Sequence, residues 1–194
     1  DMALAGERFS QSMFDCRQVS DISSGSGCAW GNYSDHDTKF AATTQNLRAD
    51  ARSERIAGGF EFGVGGGWTL GFSAARDWVD LAAQTASSNG ERSFLGAFVG
   101  GETNGLKAQV FVTYGEASND VARVLAYPGS IATVTGAQDL ETLEIGGRLA
   151  ALIEDGDVFL EPTMQISYVS LNGDFGAESG ESGLRLAQTD AGGA

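Results

Sequence analysis

Few residues in this sequence could perform acid-base or nucleophilic chemistry. His36 is the only histidine, so a Ser-His-Asp or Cys-His arrangement has a single candidate base. It stands between Asp35 and Asp37 in a polar stretch that the pattern assigns to a loop, where a solvated histidine is the simpler interpretation. The sequence therefore predicts no catalytic residue.

Two short acidic segments could offer ligands to a metal ion. One is Asp35 with His36 and Asp37, and the other is Asp155 and Asp157 around a glycine. Neither has the ligand number of a zinc site or an EF-hand, and turn chemistry accounts for both. The glycine pairs at 25/27 and 63/65 lack the full dinucleotide-binding pattern. We expect neither a metal site nor a cofactor site.

The two cysteines are Cys16 and Cys28, and glycine and serine residues lie between them. A small disulfide-closed loop is sterically reasonable for this pair in an oxidising compartment. Two free buried thiols are the alternative, and the sequence does not separate the two.

Composition and charge narrow the class of protein. The chain has 194 residues, enough for one domain, and its 28 glycines with only 2 prolines favour sheet over disorder or a helical bundle. A formal charge of -14 would repel nucleic acid and anionic headgroups, so we expect no nucleic-acid partner. No apolar run approaches the ~20 residues of a spanning helix, and no leader peptide opens the sequence.

The clearest pattern is an alternation of period two, which is typical of strands. In the segment 106–115 an apolar set alternates with a mixed set, namely Leu106, Ala108, Val110, Val112 and Tyr114 against Lys107, Gln109, Phe111, Thr113 and Gly115. The segments 68–75, 143–151 and 158–168 show the same alternation, and further strands are predicted at 29–35, 55–64, 92–101 and 183–188. The count is about eight strands, each with one apolar face.

The predicted connections differ in length from one end of the strands to the other. Short turns are predicted at 65–67, 102–105 and 154–157, and long polar loops at 36–54, 79–91 and 116–138. Outer-membrane barrels sort their connections in this way, with tight periplasmic turns and long external loops. A soluble antiparallel sandwich or lipocalin-like barrel, with its apolar face turned inward, is the alternative.

In the barrel interpretation the second face of each strand lines the lumen. Glu144 and Arg148 lie four residues apart on that face, and Lys107 and Glu161 would also point inward. We expect these charges to pair across the lumen. Solvated charges on an exposed sheet face are the other interpretation.

Several motifs, in their order along the chain, resemble the translocator domain (β-domain) of bacterial autotransporters. The opening strands carry Cys28-Ala29-Trp30-Gly31, Gly58-Gly59-Phe60-Glu61-Phe62-Gly63-Val64 and Gly66-Gly67-Trp68-Thr69-Leu70-Gly71-Phe72. Later ones carry Tyr114-Gly115-Glu116, Ile145-Gly146-Gly147-Arg148-Leu149, and Leu160-Glu161-Pro162 followed by Ser167-Tyr168-Val169, Gly173, Phe175 and Glu178-Ser179-Gly180. The resemblance extends from about Cys16 to about Leu186.

The resemblance implies an all-β, antiparallel up-and-down transmembrane barrel in the bacterial outer membrane, or a partial barrel of about eight strands. It implies a type V secretion translocator that exports or displays its own N-terminal passenger and is not an enzyme. Implied partners are outer-membrane lipid and the barrel-assembly machinery. A secreted soluble β-domain that binds a ligand or a host surface is the alternative function, and a small complete adhesive barrel is a weaker one.

The resemblance also suggests a division of the chain. Residues 1–27 would form an N-terminal segment with the cysteine loop, residues 28–190 the barrel strands, and residues 191–194 a truncated end, because family barrels have twelve strands and close on an aromatic residue. Leu4, Phe9 and Met13 have a rough helical spacing. That helix is interpreted either as the end of a segment running through the pore or as a frayed or rim-packed terminus.

Overall fold

The computed structural model describes residues 2–14, 27–40, 48–103, 105–127, 130–151, 153–155, 158–176, 179–180 and 189–193. One short helix, α1, spans Met2–Ser12. The remaining elements are the strands β1 Cys28–Phe40, β2 Ala49–Gly65, β3 Trp68–Ala83, β4 Ala86–Thr103, β5 Leu106–Tyr127, β6 Ser130–Ala151, β7 Ile153–Asp155, β8 Val158–Leu160, β9 Thr163–Phe175, β10 Ser179–Gly180 and β11 Thr189–Gly193. No helix in this part of the chain is both long and apolar enough to cross a membrane.

One antiparallel sheet contains nearly all the strands, in the order β1-β2-β3-β4-β5-β6-β9-β11, with β10 beside β6. The short strands β7 and β8 form a separate hairpin. Successive strands are neighbours from β1 to β6, which is an up-and-down arrangement. The sheet is open in the described part of the chain. These features confirm the predicted all-β, up-and-down fold class.

The register of the sheet divides its side chains between two faces. Phe94 pairs with Gly115, which pairs with Thr142, and all three are buried on the side where α1 packs. Leu95, Tyr114 and Leu143 form the adjacent row on the opposite side, and all three are exposed. We call the side that α1 covers the inner face and the opposite side the outer face. The apolar set of the predicted alternation is therefore exposed, which excludes a sandwich with an apolar interior.

The predicted long loops are wrong. The segments 36–54, 79–91 and 116–138 consist mostly of paired strand, so β5 and β6 reach 22 residues each and only residues 128–129 separate them. Hydrophobic alternation stops in these segments because small and polar side chains predominate and the apolar ones, such as Val124 and Val134, fall on both faces, while the backbone pairing continues. His36 accordingly lies in β1 rather than in a loop, facing away from its two aspartate neighbours.

The predicted strand at 158–168 is interrupted. Val158–Leu160 pairs with Ile153–Asp155, and β9 begins only at Thr163. Pro162 explains the break, because it has no backbone N–H to donate and instead accepts a hydrogen bond from the Ala151 N–H (3.2 Å). The predicted strand at 183–188 lies outside the described residues.

Glycines on the inner face make room for aromatic rings of the neighbouring strand. A Cβ atom on Gly115 would lie 2.6 Å from Phe94 Cδ1, and one on Gly59 would lie 2.7 Å from Trp30 Nε1. Gly71 faces Phe98 and Gly146 faces Phe111 in the same way. Each ring thus occupies the volume that a side chain on its partner strand would need.

This complementarity predicts that Gly115→Ala destabilises the fold. Phe94 cannot move away, because it is 1% exposed and stacks against Phe9 of α1. Overpacking of this kind costs about 1–3 kcal/mol. We expect a lower urea midpoint for the lipid-reconstituted variant, measured by tryptophan fluorescence.

Gly147→Ala is the matched control, because its Cβ would meet nothing closer than the Gln109 carbonyl oxygen at 3.6 Å. Equal midpoints for the Gly115 and Gly147 variants would contradict this account of the packing.

Candidate functional site

The candidate site is the inner face together with α1, which packs against β4, β5 and β6. The helix turns Phe9 toward the sheet, where it is 0% exposed, and Met13 and Phe14 just after the helix are also buried. The predicted helical spacing of Phe9 and Met13 therefore corresponds to a helix whose apolar side is covered by the sheet. The side chain of Leu4 lies outside the described part.

Aromatic contacts attach α1 and the residues just after it to the sheet. The ring of Phe9 stacks on Phe94, with 5.4 Å between centroids. Phe14 contacts Phe98 at 5.4 Å and meets Phe111 edge-on at 5.9 Å. Aromatic pairs at such separations are favourable by about 0.5–1.5 kcal/mol beyond the burial of their surface. The helix and the residues after it are thus attached to the inner face by a continuous aromatic cluster.

Arg55 joins α1 to three strands. Its Nε donates to Asp77 Oδ1 at 2.7 Å, and the two side chains are only 15% and 7% exposed. Its Nη2 donates to the backbone carbonyl of Ala5 at 3.1 Å, and its guanidinium lies 5.6 Å from the centre of the Phe94 ring. One β2 side chain therefore contacts β3, β4 and the helix. Sequence reasoning missed Arg55 and Asp77, because nothing in either strand alone marks the pair.

Glu144 and Arg148, two predicted lumen charges, both lie beside α1. Glu144 is 2% exposed, and its carboxylate accepts hydrogen bonds from Ser10 Oγ (3.4 Å) and Thr113 Oγ1 (3.5 Å). The Arg148 guanidinium lies over the ring of Phe14, 4.6 Å from its centre. Both residues thus contact the helix segment, a partner that their spacing in sequence did not suggest.

The other two predicted charges lie where the tight turns are. Lys107 Nζ is 3.2 Å from Glu161 Oε2, with side chains 15% and 33% exposed. We call this end of the sheet, which includes the turns at Gly65–Trp68 and Thr103–Leu106, the turn end, and the opposite end the far end. Lys107 and Glu161 form an ion pair at the turn end.

The contacts of α1 give its direction. Ala5 lies level with Arg55, Asp77 and Arg92, which pair across β2, β3 and β4. Phe14 lies level with Phe98 and Phe111, which are nearer the turn end. The chain therefore runs from the far end toward the turn end through α1, and β1 then starts at the turn end, where Cys28 pairs with Glu61.

The outer face carries an apolar belt next to the turn end. Along β5 the belt extends from Leu106 to Tyr114, and along β6 from Leu143 to Leu149, and these four residues are 38–48% exposed. Nine residues at ~3.4 Å each, tilted by about 40°, give a height of about 23 Å, close to the ~25 Å apolar band of outer-membrane barrels. The belt has the dimensions of a lipid-facing surface.

Above the belt the outer face becomes acidic within one row of paired residues. The row after Leu95–Tyr114–Leu143 is Ser93–Glu116–Glu141, and it continues on β3 with Arg76, which forms an ion pair with Glu91. The acidic side chains of this band on β1 to β6 and β9 are Asp35, Asp37, Asp50, Glu54, Asp80, Glu91, Glu116, Asp120, Asp139, Glu141 and Asp174. This edge between apolar and charged side chains marks where water begins.

The remaining predicted site residues give no further constellation. Cys28 opens β1, but Cys16 lies outside the described residues, so their bond stays a prediction. Asp155 ends β7, and Asp157 is likewise outside them. Within the described ranges, no three His, Cys, Asp or Glu side chains form a group that could hold a metal ion.

Comparisons with known proteins agree with this geometry. A family model described as "Autotransporter beta-domain" matches residues 29–192. The structure is similar to the translocator domain of autotransporter NalP from Neisseria meningitidis, with a TM-score of 0.72 and 14% identity over 98% of this chain. The chain spans 65% of the NalP domain, and at this identity the likeness shows the fold.

A second solved structure, FpvA of P. aeruginosa bound to pyoverdines, gives a TM-score of 0.47 at 11% identity. It covers 84% of this chain and 29% of FpvA, and a likeness this low carries no argument. No curated protein matches the sequence.

The attachment of α1 can be tested with Phe9→Ala. Replacing a buried phenylalanine by alanine usually lowers the free energy of unfolding by about 3–5 kcal/mol. Here the loss cannot exceed the free energy with which α1 packs on the sheet, because the helix can dissociate from the inner face while the sheet stays folded. We expect maleimide to label Ser10→Cys, whose parent residue is 0% exposed, much faster when Phe9→Ala is also present.

Both variants need Cys16 and Cys28 replaced by serine. Glu7→Ala is the control, because Glu7 is exposed on α1 and should leave the labelling rate unchanged. Continued protection of Ser10→Cys in the Phe9→Ala protein would show that Phe9 does not hold the helix.

Proposed function

This chain belongs to the autotransporter β-domain family, and from that premise we propose that it acts as a translocator which exports or displays an N-terminal passenger. Its location is the bacterial outer membrane. The observation that carries the proposal is the pairing of an apolar outer belt with a polar inner face occupied by α1. A soluble binding domain would instead cover its apolar face.

The path of the chain supports a role in export. Because α1 runs from the far end to the turn end, any polypeptide attached before Met2 would leave the inner face at the far end. The acidic band lies on that side of the belt, and tight turns lie on the other. This arrangement suits a far end outside the cell and a turn end in the periplasm.

We assign partners and site roles on the same basis. Outer-membrane lipid would cover the belt, and the barrel-assembly machinery would insert the sheet, because each unsatisfied backbone group at an open edge in hydrocarbon costs several kcal/mol. Glu144 and Arg148 would hold α1, and Lys107 with Glu161 would order the periplasmic mouth. No catalysis by this domain is needed, and a Cys16–Cys28 disulfide would tie the segment after α1 to β1.

Impermeant-maleimide labelling of intact Gram-negative cells that carry the full-length parent tests the topology. With Cys16 and Cys28 changed to Ser, we expect Ile131→Cys at the far end to label on whole cells, since Ile131 is 76% exposed. Thr103→Cys at the turn end should label only after lysis. Labelling of both sites alike in a protein that fractionates away from membranes would reject the proposal.

A second test addresses the lipid contact of the belt. Val112→Arg places a charge among lipid-facing residues, where arginine costs ~2–4 kcal/mol at the midplane. Ser118→Arg, on the same face of β5 but in the acidic band, should cost less than about 1 kcal/mol. Urea titrations in phospholipid vesicles measure both, and equal losses would argue against a membrane-spanning belt.

A further inference from the structure

A shallow cavity of about 460 Å³ lies on β1 to β4 near the far end, away from α1 and the inner face. Most of its side chains belong to two adjacent rows of the outer face. The lower row is Asp37–Arg52–Asp80–Asn89, paired in that order across the four strands. Neither α1 nor the belt uses these residues.

The upper row is Lys39–Asp50–Ala82–Ser87, paired across the same strands. Four strands at a spacing of ~4.8 Å make each row about 14 Å wide, and the rows are about 7 Å apart. The two rows together form a flat rectangle of alternating hydrogen-bond donors and acceptors. Its size exceeds that of a single ion or a phosphate group.

Charge also argues against a simple ion as the ligand. The carboxylates of Asp37, Asp50 and Asp80 are offset by Lys39 and Arg52, so the surface carries both signs side by side. The hydrogen bond that Arg52 donates to Asp35 raises the pKa of Arg52, which keeps it cationic, and Arg52 also forms an ion pair with Glu54 at 2.7 Å. A ligand that fits must offer donors and acceptors together without a large net charge.

The cavity also has an apolar part. The side chain of Ala82 is apolar and lies among the polar groups, and Ser87 and Asn89 add neutral ones. Ala51 and Leu81 contribute backbone atoms, because the register turns their side chains to the inner face. Sugar rings combine these needs, because their hydroxyls both donate and accept while their C–H faces pack on small apolar side chains.

The height of the cavity above the belt favours a sugar over a lipid headgroup as its ligand. On β1 and β2 the last apolar residues of the outer face are Tyr33 and Ile56, and Asp37 and Arg52 lie four residues beyond them, which is about 14 Å along the strand and about 10 Å along the membrane normal at ~40° of tilt. The polar headgroup layer is only about 5–8 Å thick on each side. The cavity therefore lies above the headgroups, at the level of sugars attached to lipids of the outer leaflet.

We propose that this cavity binds a short oligosaccharide, either on a glycolipid of the same membrane or free in solution. The height argument rests on the proposed outer-membrane role, whereas the cavity and its chemistry do not. Asp37 and Asp80 would accept hydrogen bonds from ring hydroxyls, and Asn89 would both accept and donate them. Lys39 would donate, and Ala82 would lie under a ring.

Saturation-transfer NMR on the full-length parent tests the proposal. The free probes are maltotriose and chitotriose, added to protein in detergent, and the lipid-linked probe is the host's lipopolysaccharide in nanodiscs, compared with phospholipid-only nanodiscs. We expect transfer to sugar protons of at least one probe, reduced at least fivefold by Asp80→Ala with Asn89→Ala. Asp139→Ala, which removes an outer-face carboxylate on β6, should leave the transfer unchanged.

Heat-modifiable migration on gels first establishes that each variant is folded, and Ala82→Trp, which fills the cavity, replaces the double variant if that one does not fold. No transfer to any sugar, equal transfer in the cavity and Asp139 variants, or transfer to phospholipid headgroups alone would each overturn the proposal. Ile131→Cys labelling on whole cells is independent of this outcome, so failure of sugar binding is distinguishable from failure of the translocator role.

Discussion

An unbroken register from β1 to β9 determines which side of the sheet each residue faces, and the other features of the structure depend on it. Six consecutive strand pairs keep one alignment, and the only irregularity in the β2–β3 pair lies between Gly63 and Gly65, at the turn end. Because side chains alternate with a period of two, a slip of one residue would exchange the two faces. Glu144 would then meet lipid, and Leu143 would meet α1.

The packing of α1 on the inner face depends on glycine residues in the sheet. Aromatic rings on this face need glycine on the next strand, as Phe94 does with Gly115, and these rings then contact Phe9 of α1 and Phe14 just after it. A larger residue at such a glycine would disturb both the strand pairing and the packing of α1 on the sheet. The polar contacts of Arg55 and Glu144 add direction to this attachment, because each reaches one specific group of α1.

The sequence was sufficient for the parts of this fold that come from local alternation. Leu106 to Gly115 were assigned to the correct faces, and the family model confirms the resemblance that the ordered motifs carried. The sorting of loops by length, which had favoured a membrane barrel, was wrong. The strand extensions were missed, because segments such as 120–127 lack hydrophobic alternation and their pairing is visible only in three dimensions. Two contacts depend on strand register and helix position, which a single sequence does not specify. They are the ion pair of Arg55 with Asp77 and the packing of Arg148 over the ring of Phe14.

The distribution of charge follows from the same division into faces. Beside α1 the inner face carries three arginines, Arg55, Arg92 and Arg148, and three carboxylates, Glu61, Asp77 and Glu144, so it is nearly neutral. Much of the formal charge of -14 therefore belongs to the outer band, where water screens repulsion between carboxylates.

Within the belt such charges would face hydrocarbon, so each strand must change from apolar to charged where it leaves the hydrocarbon. The row Ser93–Glu116–Glu141 is that boundary on β4, β5 and β6. Moving the sheet deeper into the membrane would bury carboxylates in hydrocarbon, and moving it outward would expose the apolar belt to water. These two costs together fix the depth of the sheet in the membrane.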